Sequence, residues 1–413
     1  MSAGTLIVGT GQAGFQTAAS LRAEGYSDPI TLIGEEPQIP YQRPPLSKGF
    51  VLGQQDFESI ELRPAKFYQD HRIDLLTGMK VARIDPATKR VALESGTQLV
   101  YEKLVLAVGS RNRRLSLPGA ERYDVVYLRS LEDAVVIKER LKQASDVVVI
   151  GGGFIGLELA AAARTLGKTV TVLEALPRLM SRAVAAVISE FVRKLHAGKS
   201  VEVRCNACAE RIEAFGGSTF RVVLRDGSKL PADLIIVGVG VMPNVELARD
   251  AGLPVANGII VNEFLQTGDE NIFAIGDCGE FPCALSGTRL RLESVQNAAD
   301  QAQCVAGTIE GRRSAYTAVP WFWTDQFDVK LQMAGISEGH DRIVTRGNAA
   351  DRKLSVFYFK KERLVGIDSI NRPLDHMMGR KLLAGNVRLT PEQAADESFD
   401  LKRLAHGAAT AHH

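Results

Sequence analysis

Apolar and polar positions along this chain fall into two regimes. Short runs at residues 5–8, 30–33, 104–109, 147–150 and 234–239, apolar but for Thr5 and Thr31, lack a charged face, as expected of parallel strands covered by helices on both sides. Between them the pattern predicts helices over 15–25, 128–142, 156–163 and 191–196, and further short strands over 170–174, 201–204, 220–224, 258–261 and 272–275. Residues 84–101 alternate with period two and carry turn signals at Asp85-Pro86 and Ser95-Gly96, which predicts a small antiparallel meander. Residues 41–48, YQRPPLSK, leave regular structure, because two prolines forbid an interior strand; Ser47 is placed to cap a helix that follows. Past residue 320 aromatic and β-branched residues predict strands over 330–333, 341–345, 355–360 and 364–370, then helices over 373–383 and 391–395. Residues 405–413 read as a disordered tail, with the terminal His412 and His413 a tag remnant.

Glycines change the picture. Gly151, Gly153 and Gly156 follow the run at 147–150 with G-x-G-x-x-G spacing and open an alanine-rich helix. In such a turn the first glycine permits the tight bend, the second admits a pyrophosphate to the backbone, and the third lets helix approach strand. The phosphate sits on the helix N-terminus, where unpaired N–H groups and the dipole favour negative charge. A glycine-rich turn alone also serves plain packing. Here, though, the next strand, VTVLE, closes on Glu174, about 20 residues on, where a carboxylate holds the adenosine ribose hydroxyls.

The fingerprint also occurs at the start of the chain, at Gly9, Gly11 and Gly14. Alignment of ITLIGEE with VTVLEAL puts Gly34 opposite Glu174, so Glu35 or Glu36 must do the ribose work there. A chain with two such units holds two dinucleotides, and the simplest chemistry that needs both is hydride transfer between a nicotinamide and a flavin. The strand at 272–275 runs into Gly276 and Asp277 without a third fingerprint, so it best completes the first unit; a helix from about Ser294 aims its N-terminus into the same region. The expected architecture is α/β, glutathione-reductase-like. Two nested Rossmann-like, three-layer dinucleotide domains, FAD at 1–110 and 243–320 and NAD at 111–242, precede an α+β domain at 321–413.

Composition excludes several classes. The 413 residues are 45% hydrophobic and 24% charged, as in soluble globular proteins, and a net charge of +2 gives no global pull toward nucleic acid or membrane. The N-terminus lacks the pattern of a signal peptide or anchor, and five cysteines suit a reducing compartment, so a cytoplasmic protein is expected. Cys205 and Cys208 have C-x-x-C spacing but no second pair to complete a zinc site; no metal is expected.

Eight segments in order resemble the oxygenase-coupled NADH-dependent ferredoxin reductases, the group of putidaredoxin and palustrisredoxin reductases. They are VGTGQAG, PYQRPPLSK, YLRSLEDA, VIGGGFIGLE, GVGVMPN, AIGDC, ESVQNA and PWFWTDQ, spread over nearly the whole chain. The resemblance implies FAD contacts at Gly9, Gly11, Gly14, Glu35 or Glu36, Arg43, Lys48, Val81, Ala107, Arg129, Asp277, Glu293, Ser294 and Val295. In it Asp277 bonds the ribityl chain, Arg43 and Arg129 neutralise pyrophosphate, and Trp323 walls the active site. On the nicotinamide side it implies Gly151, Gly153, Ile155, Gly156, Glu158, Glu174, Arg182 and Gly240, with Lys48 paired to Glu158 beside flavin N5.

Disulfide reductases of the same broad class carry a redox cysteine pair soon after the first fingerprint, where this chain has RPPLSK and no cysteine before Cys205. Electrons therefore do not leave through a dithiol at that position, and the resemblance implies transfer from NADH through FAD to a 2Fe-2S ferredoxin that feeds a haem monooxygenase or Rieske oxygenase. Glu174 favours NADH over NADPH by repelling a 2'-phosphate, with Arg178 and Arg182 near enough to soften the preference. The partner is expected to be acidic and transient, met by a local basic surface drawn from Arg63, Arg289, Arg291, Arg312, Arg313 and Arg352. A monomer or weak homodimer is expected. Alternatives are an NADH-sensing flavoprotein resembling apoptosis-inducing factor, and an NADH oxidase or rubredoxin reductase.

Overall fold

Each long apolar run becomes a strand of a parallel sheet. The computed structural model describes residues 3–121, 125–216 and 219–407, and the chain divides into two compact units. The first takes residues up to Gln42, then Glu58–Arg111 and Met242–Phe322; the second takes Arg43–Phe57, residues 112–241 and the chain from Trp323 onward.

In the first unit five parallel strands lie in the order Ile272–Ala274, Lys103–Leu106, Thr5–Val8, Ile30–Ile33, Ile73–Leu76. Thr5–Val8, at the centre, is buried throughout, because both of its faces are covered. Helices Gln12–Ala23 and Val295–Ile309 pack together. The predicted meander is present as Val81–Asp85, Arg90–Leu93 and Gln98–Val100, paired antiparallel. The chain beyond residue 242 thus returns to supply the edge strand Ile272–Ala274.

The second unit holds another parallel sheet, ordered Val201–Cys205, Thr169–Glu174, Asp146–Ile150, Leu234–Val237, Val125–Tyr127. Ser130 caps the helix Leu131–Gln143 in a reciprocal capping box with Asp133, so that helix starts three residues later than the pattern suggests. The last segment forms a five-stranded antiparallel sheet in the order Trp321–Gln326, Val329–Gly335, Arg363–Ile370, Lys353–Lys360, Arg342–Asn348, followed by three helices.

Three expectations are corrected. Ser47 caps no helix: it closes the 3-10 turn Pro44–Ser47, and its hydroxyl is engaged elsewhere. The strand Trp321–Gln326 has no counterpart among the predicted strands. Ala405 is not part of a loose tail but is buried on a helix, Leu401–Gly407, beside Leu401; His412 and His413 lie outside the described residues.

Candidate functional site

The two fingerprints fold almost identically. Gly9 has φ +115° and Gly151 φ +113°, the region that excludes ordinary side chains. A Cβ on Gly9 would lie 2.1 Å from the Ala107 carbonyl oxygen, and one on Gly151 2.3 Å from that of Gly238. The third glycines are equally tight, with a Cβ on Gly14 falling 1.8 Å from the Gly9 oxygen and one on Gly156 2.2 Å from the Gly151 oxygen. The middle glycines differ in kind. Nothing lies within 4 Å of a Cβ on Gly11, and only one atom, at 3.9 Å, near one on Gly153. Both are helix N-caps without a side-chain cap. Each turn therefore leaves open space in front of unanswered helix N–H groups, a cradle that fits a pyrophosphate.

Carboxylates finish the two cradles differently. Glu174, at the end of Thr169–Glu174, accepts the Gly152 N–H at 2.8 Å through Oε2 and the Leu176 N–H at 2.9 Å through Oε1, which fixes it against the second fingerprint. In the first unit Glu36 accepts from the Tyr41 hydroxyl at 2.5 Å, while Glu35 reaches out to Lys80 at 3.7 Å with its side chain 72% exposed. Asp277 accepts from Ser110 at 2.7 Å, and Ser294 caps Val295–Ile309 by accepting the Asn297 N–H at 3.0 Å.

One buried carboxylate stands apart. Glu158 lies on the fingerprint helix Phe154–Thr165 and is 4% exposed. Its Oε2 takes the Lys48 ammonium at 2.8 Å and the Ser47 hydroxyl at 2.5 Å; its Oε1 takes the Thr324 hydroxyl at 2.6 Å. The rigid Pro44–Pro45 turn positions Ser47 and Lys48, whose Nζ also reaches the Pro44 carbonyl at 3.4 Å. Three donors on one buried carboxylate meet the condition under which a buried charge is tolerated.

A family model described as pyridine nucleotide-disulphide oxidoreductase matches residues 4–302, and one described as reductase C-terminal matches 321–405. The chain belongs to the pyridine nucleotide-disulphide oxidoreductases. Rhodocoxin reductase from Rhodococcus erythropolis is 49% identical over 96% of this chain and 93% of its own. A rubredoxin-NAD(+) reductase from Pseudomonas putida is 41% identical over 89% of this chain and 96% of its own. Among solved structures, the ferredoxin reductase for the CYP199A2 system from Rhodopseudomonas palustris superposes with a TM-score of 0.95 at 48% identity, covering 97% of this chain and 99% of that one. This oxidoreductase is accordingly an FAD-dependent NAD(P)H enzyme of the ferredoxin-reductase type.

Within the oxidoreductase the expected site residues fall in both units. Gly9, Gly11, Gly14, Glu35, Glu36, Val81, Ala107, Asp277, Glu293, Ser294 and Val295 belong to the first. Val81 and Ala107 are buried, Val81 opening the meander and Ala107 directly after Lys103–Leu106. Glu293 is occupied by Arg291, at 2.6 Å. Arg43, Lys48, Arg129 and Trp323 belong to the second unit with the nicotinamide set. There the Arg43 guanidinium donates to the Arg129 carbonyl, bringing the two expected pyrophosphate arginines together. Trp323 is half-buried on the strand that carries Thr324. Ile155 is exposed at the start of the fingerprint helix, and the Gly240 carbonyl accepts the Arg113 N–H at 3.0 Å.

Arg182 is exposed, but Arg178 is tied to the Val184 and Ser181 carbonyls and the Ser189 hydroxyl, so it is not at liberty to meet a 2'-phosphate. Of the arginines read as a basic docking surface, Arg289 pairs with Glu280, Arg291 with Glu293, Arg312 with Glu24 and Arg352 with Asp328, while Arg63 and Arg313 lie over the rings of Phe67 and Phe264. Those arginines are more neutralised than the sequence suggests.

All five cysteines are free thiols, and burial raises the Cys205, Cys278 and Cys304 thiols. Among the described residues no group of three or more His, Cys, Asp and Glu stands ready for a metal, and no helix is long and apolar enough to cross a membrane. Sequence reasoning missed Ser47 and Thr324 as partners of Glu158, although both lie inside quoted segments, RPPLSK and PWFWTDQ.

Proposed function

We propose that the protein is an NADH:ferredoxin reductase that passes electrons to a 2Fe-2S ferredoxin serving a haem monooxygenase or a Rieske oxygenase. The observation that carries this reading is the Lys48–Glu158 pair, 2.8 Å apart, the pair that the family resemblance sets beside flavin N5. Bound FAD and NADH supply the chemistry, a two-electron hydride transfer followed by single-electron delivery. The protein's part is placement. Gly11 and Gly153 open the two phosphate cradles, Glu36 or Glu35 would hold the FAD ribose, and Asp277 and the Val295 helix terminus would hold the flavin. Glu174 would hold the nicotinamide nucleotide's adenosine ribose, which favours NADH. No general base is required, because hydride transfer depends on close alignment.

A working cytoplasmic enzyme, monomer or weak homodimer, meeting its acceptor transiently, completes the reading. The high identity to a rubredoxin-NAD(+) reductase supports a second reading, rubredoxin as acceptor. Stopped-flow reduction with NADH and NADPH, then cytochrome c reduction with added ferredoxin, rubredoxin or neither, separates them. Fast reduction by NADH and a rate that depends on ferredoxin are expected. Full cytochrome c reduction without any added carrier would refute the reading.

A further inference from the structure

The strand Trp321–Gln326 buries the wrong residues for a core strand. Thr324 and Gln326 are its inward pair, 1% and 2% exposed, on one face because strand side chains alternate. The Thr324 hydroxyl donates to Glu158 Oε1 at 2.6 Å. A carboxylate only accepts, so this commits the one hydroxyl hydrogen of Thr324, and its oxygen must accept from the next member. Gln326 Nε2 faces that oxygen at 3.4 Å, the longest link, and Gln326 Oε1 faces His196 Nε2 at 2.8 Å.

The proton order along this chain has one solution. Reversing the Gln326 amide would set its carbonyl against a Thr324 oxygen with no hydrogen left to give. Gln326 Oε1 therefore points to His196, whose proton must sit on Nε2. His196 is fully buried on helix Ala186–Gly198, its Nδ1 finds no partner among the described residues, and burial lowers its pKa, so the ring is a neutral donor. A polar chain this deep is stable only when its links are satisfied, and it then specifies one arrangement.

We propose that Thr324 and Gln326 are positioning residues: they fix Oε1 of Glu158, and so the place from which Oε2 holds Lys48, with His196 setting the direction of the hydrogen bonds. This rests on the reading that the Lys48–Glu158 pair serves hydride transfer from NADH to FAD.

The test uses FAD-loaded enzyme and stopped-flow reduction by NADH. Thr324→Val keeps the shape and removes the hydroxyl. Its limiting reduction rate should fall about tenfold, in the range that misplacement of a catalytic pair produces, with the NADH dissociation constant within about twofold. Thr324→Ser should recover most of the rate. On a Glu158→Gln background Thr324→Val should add little, since two residues acting through one contact are not additive. Wild-type reduction by Thr324→Val, or a full independent loss on the Glu158→Gln background, would overturn the proposal while leaving the pair's own role intact. Wild-type reduction by Glu158→Gln alone would remove that role and the proposal with it. Should Thr324→Val fail to accumulate with FAD, Gln326→Leu carries the test: it leaves the Thr324 contact, a severalfold loss is expected, and an unchanged rate overturns the proposal.

Discussion

At the scale of single residues, the environment of Glu158 separates two kinds of loss. Lys48→Met leaves a carboxylate that is 4% exposed without its counter-ion, and removal of one partner from a buried pair costs about 3 kcal/mol. Glu158→Gln keeps a hydrogen-bond acceptor for Thr324 and removes the charge instead. Thermal melting of the two FAD-loaded variants should therefore show the larger loss in Lys48→Met, while both reduce slowly with NADH; equal melting temperatures would contradict this. A second residue effect is linked to pH. Asp368, buried in the C-terminal sheet where the Tyr358 hydroxyl bonds it, has a carboxyl pushed up to about 7 by burial. The ordinary value is about 4, so between about 4 and 7 the folded chain holds a proton that the unfolded chain has lost, and stability falls as pH rises through that window. Asp368→Asn should flatten the decline, which across this window amounts to about 4 kcal/mol at most, and be the more stable form above pH 7, as melting curves across the window would record.

Elements show why parts of the fold were legible in the sequence and parts were not. The fingerprint turns were readable because backbone geometry dictates glycine: the carbonyls of Gly9 and Gly151 occupy the space where Cβ atoms of Gly14 and Gly156 would stand. Gly14→Ala should cost FAD retention, and Gly156→Ala should leave FAD bound but weaken NADH binding at least tenfold, about 1.4 kcal/mol. Flavin absorbance and NADH titration distinguish the two, and FAD loss in both would deny the separate roles. Trp321–Gln326 was invisible for the opposite reason. Its inward positions are Thr324 and Gln326, and its aromatics are only half-buried, so hydrophobic periodicity points to the wrong face. Ser47 misled in the same way: in sequence its hydroxyl suits a helix cap, and only the fold brings it to a residue 111 positions away. Polar partners chosen across the fold leave no local pattern, whereas the glycine turns are local in full.

For the whole molecule, charge and chain order matter. With a net charge of +2 and most candidate docking arginines already paired with acids, attraction to the proposed acidic ferredoxin should be short in range. Raising salt from about 50 to about 300 mM should slow ferredoxin reduction a few-fold, given the shrinking Debye length, and leave NADH reduction of the flavin unchanged; loss of both steps together would point away from a docking effect. Chain order has a consequence for biosynthesis. The first sheet has its edge strand at Ile272–Ala274, parallel to Lys103–Leu106, and the helix Val295–Ile309 that packs on Gln12–Ala23 comes later still. The unit that would cradle FAD is thus built from segments on both sides of residues 112–241, and its sheet is complete only once residues 272–274 have been made, so FAD capture is expected late in synthesis. Nascent chains halted before residue 272 should retain no FAD, and the half-built sheet waits with an open edge, which makes this the stage at which a shortage of FAD would do most harm.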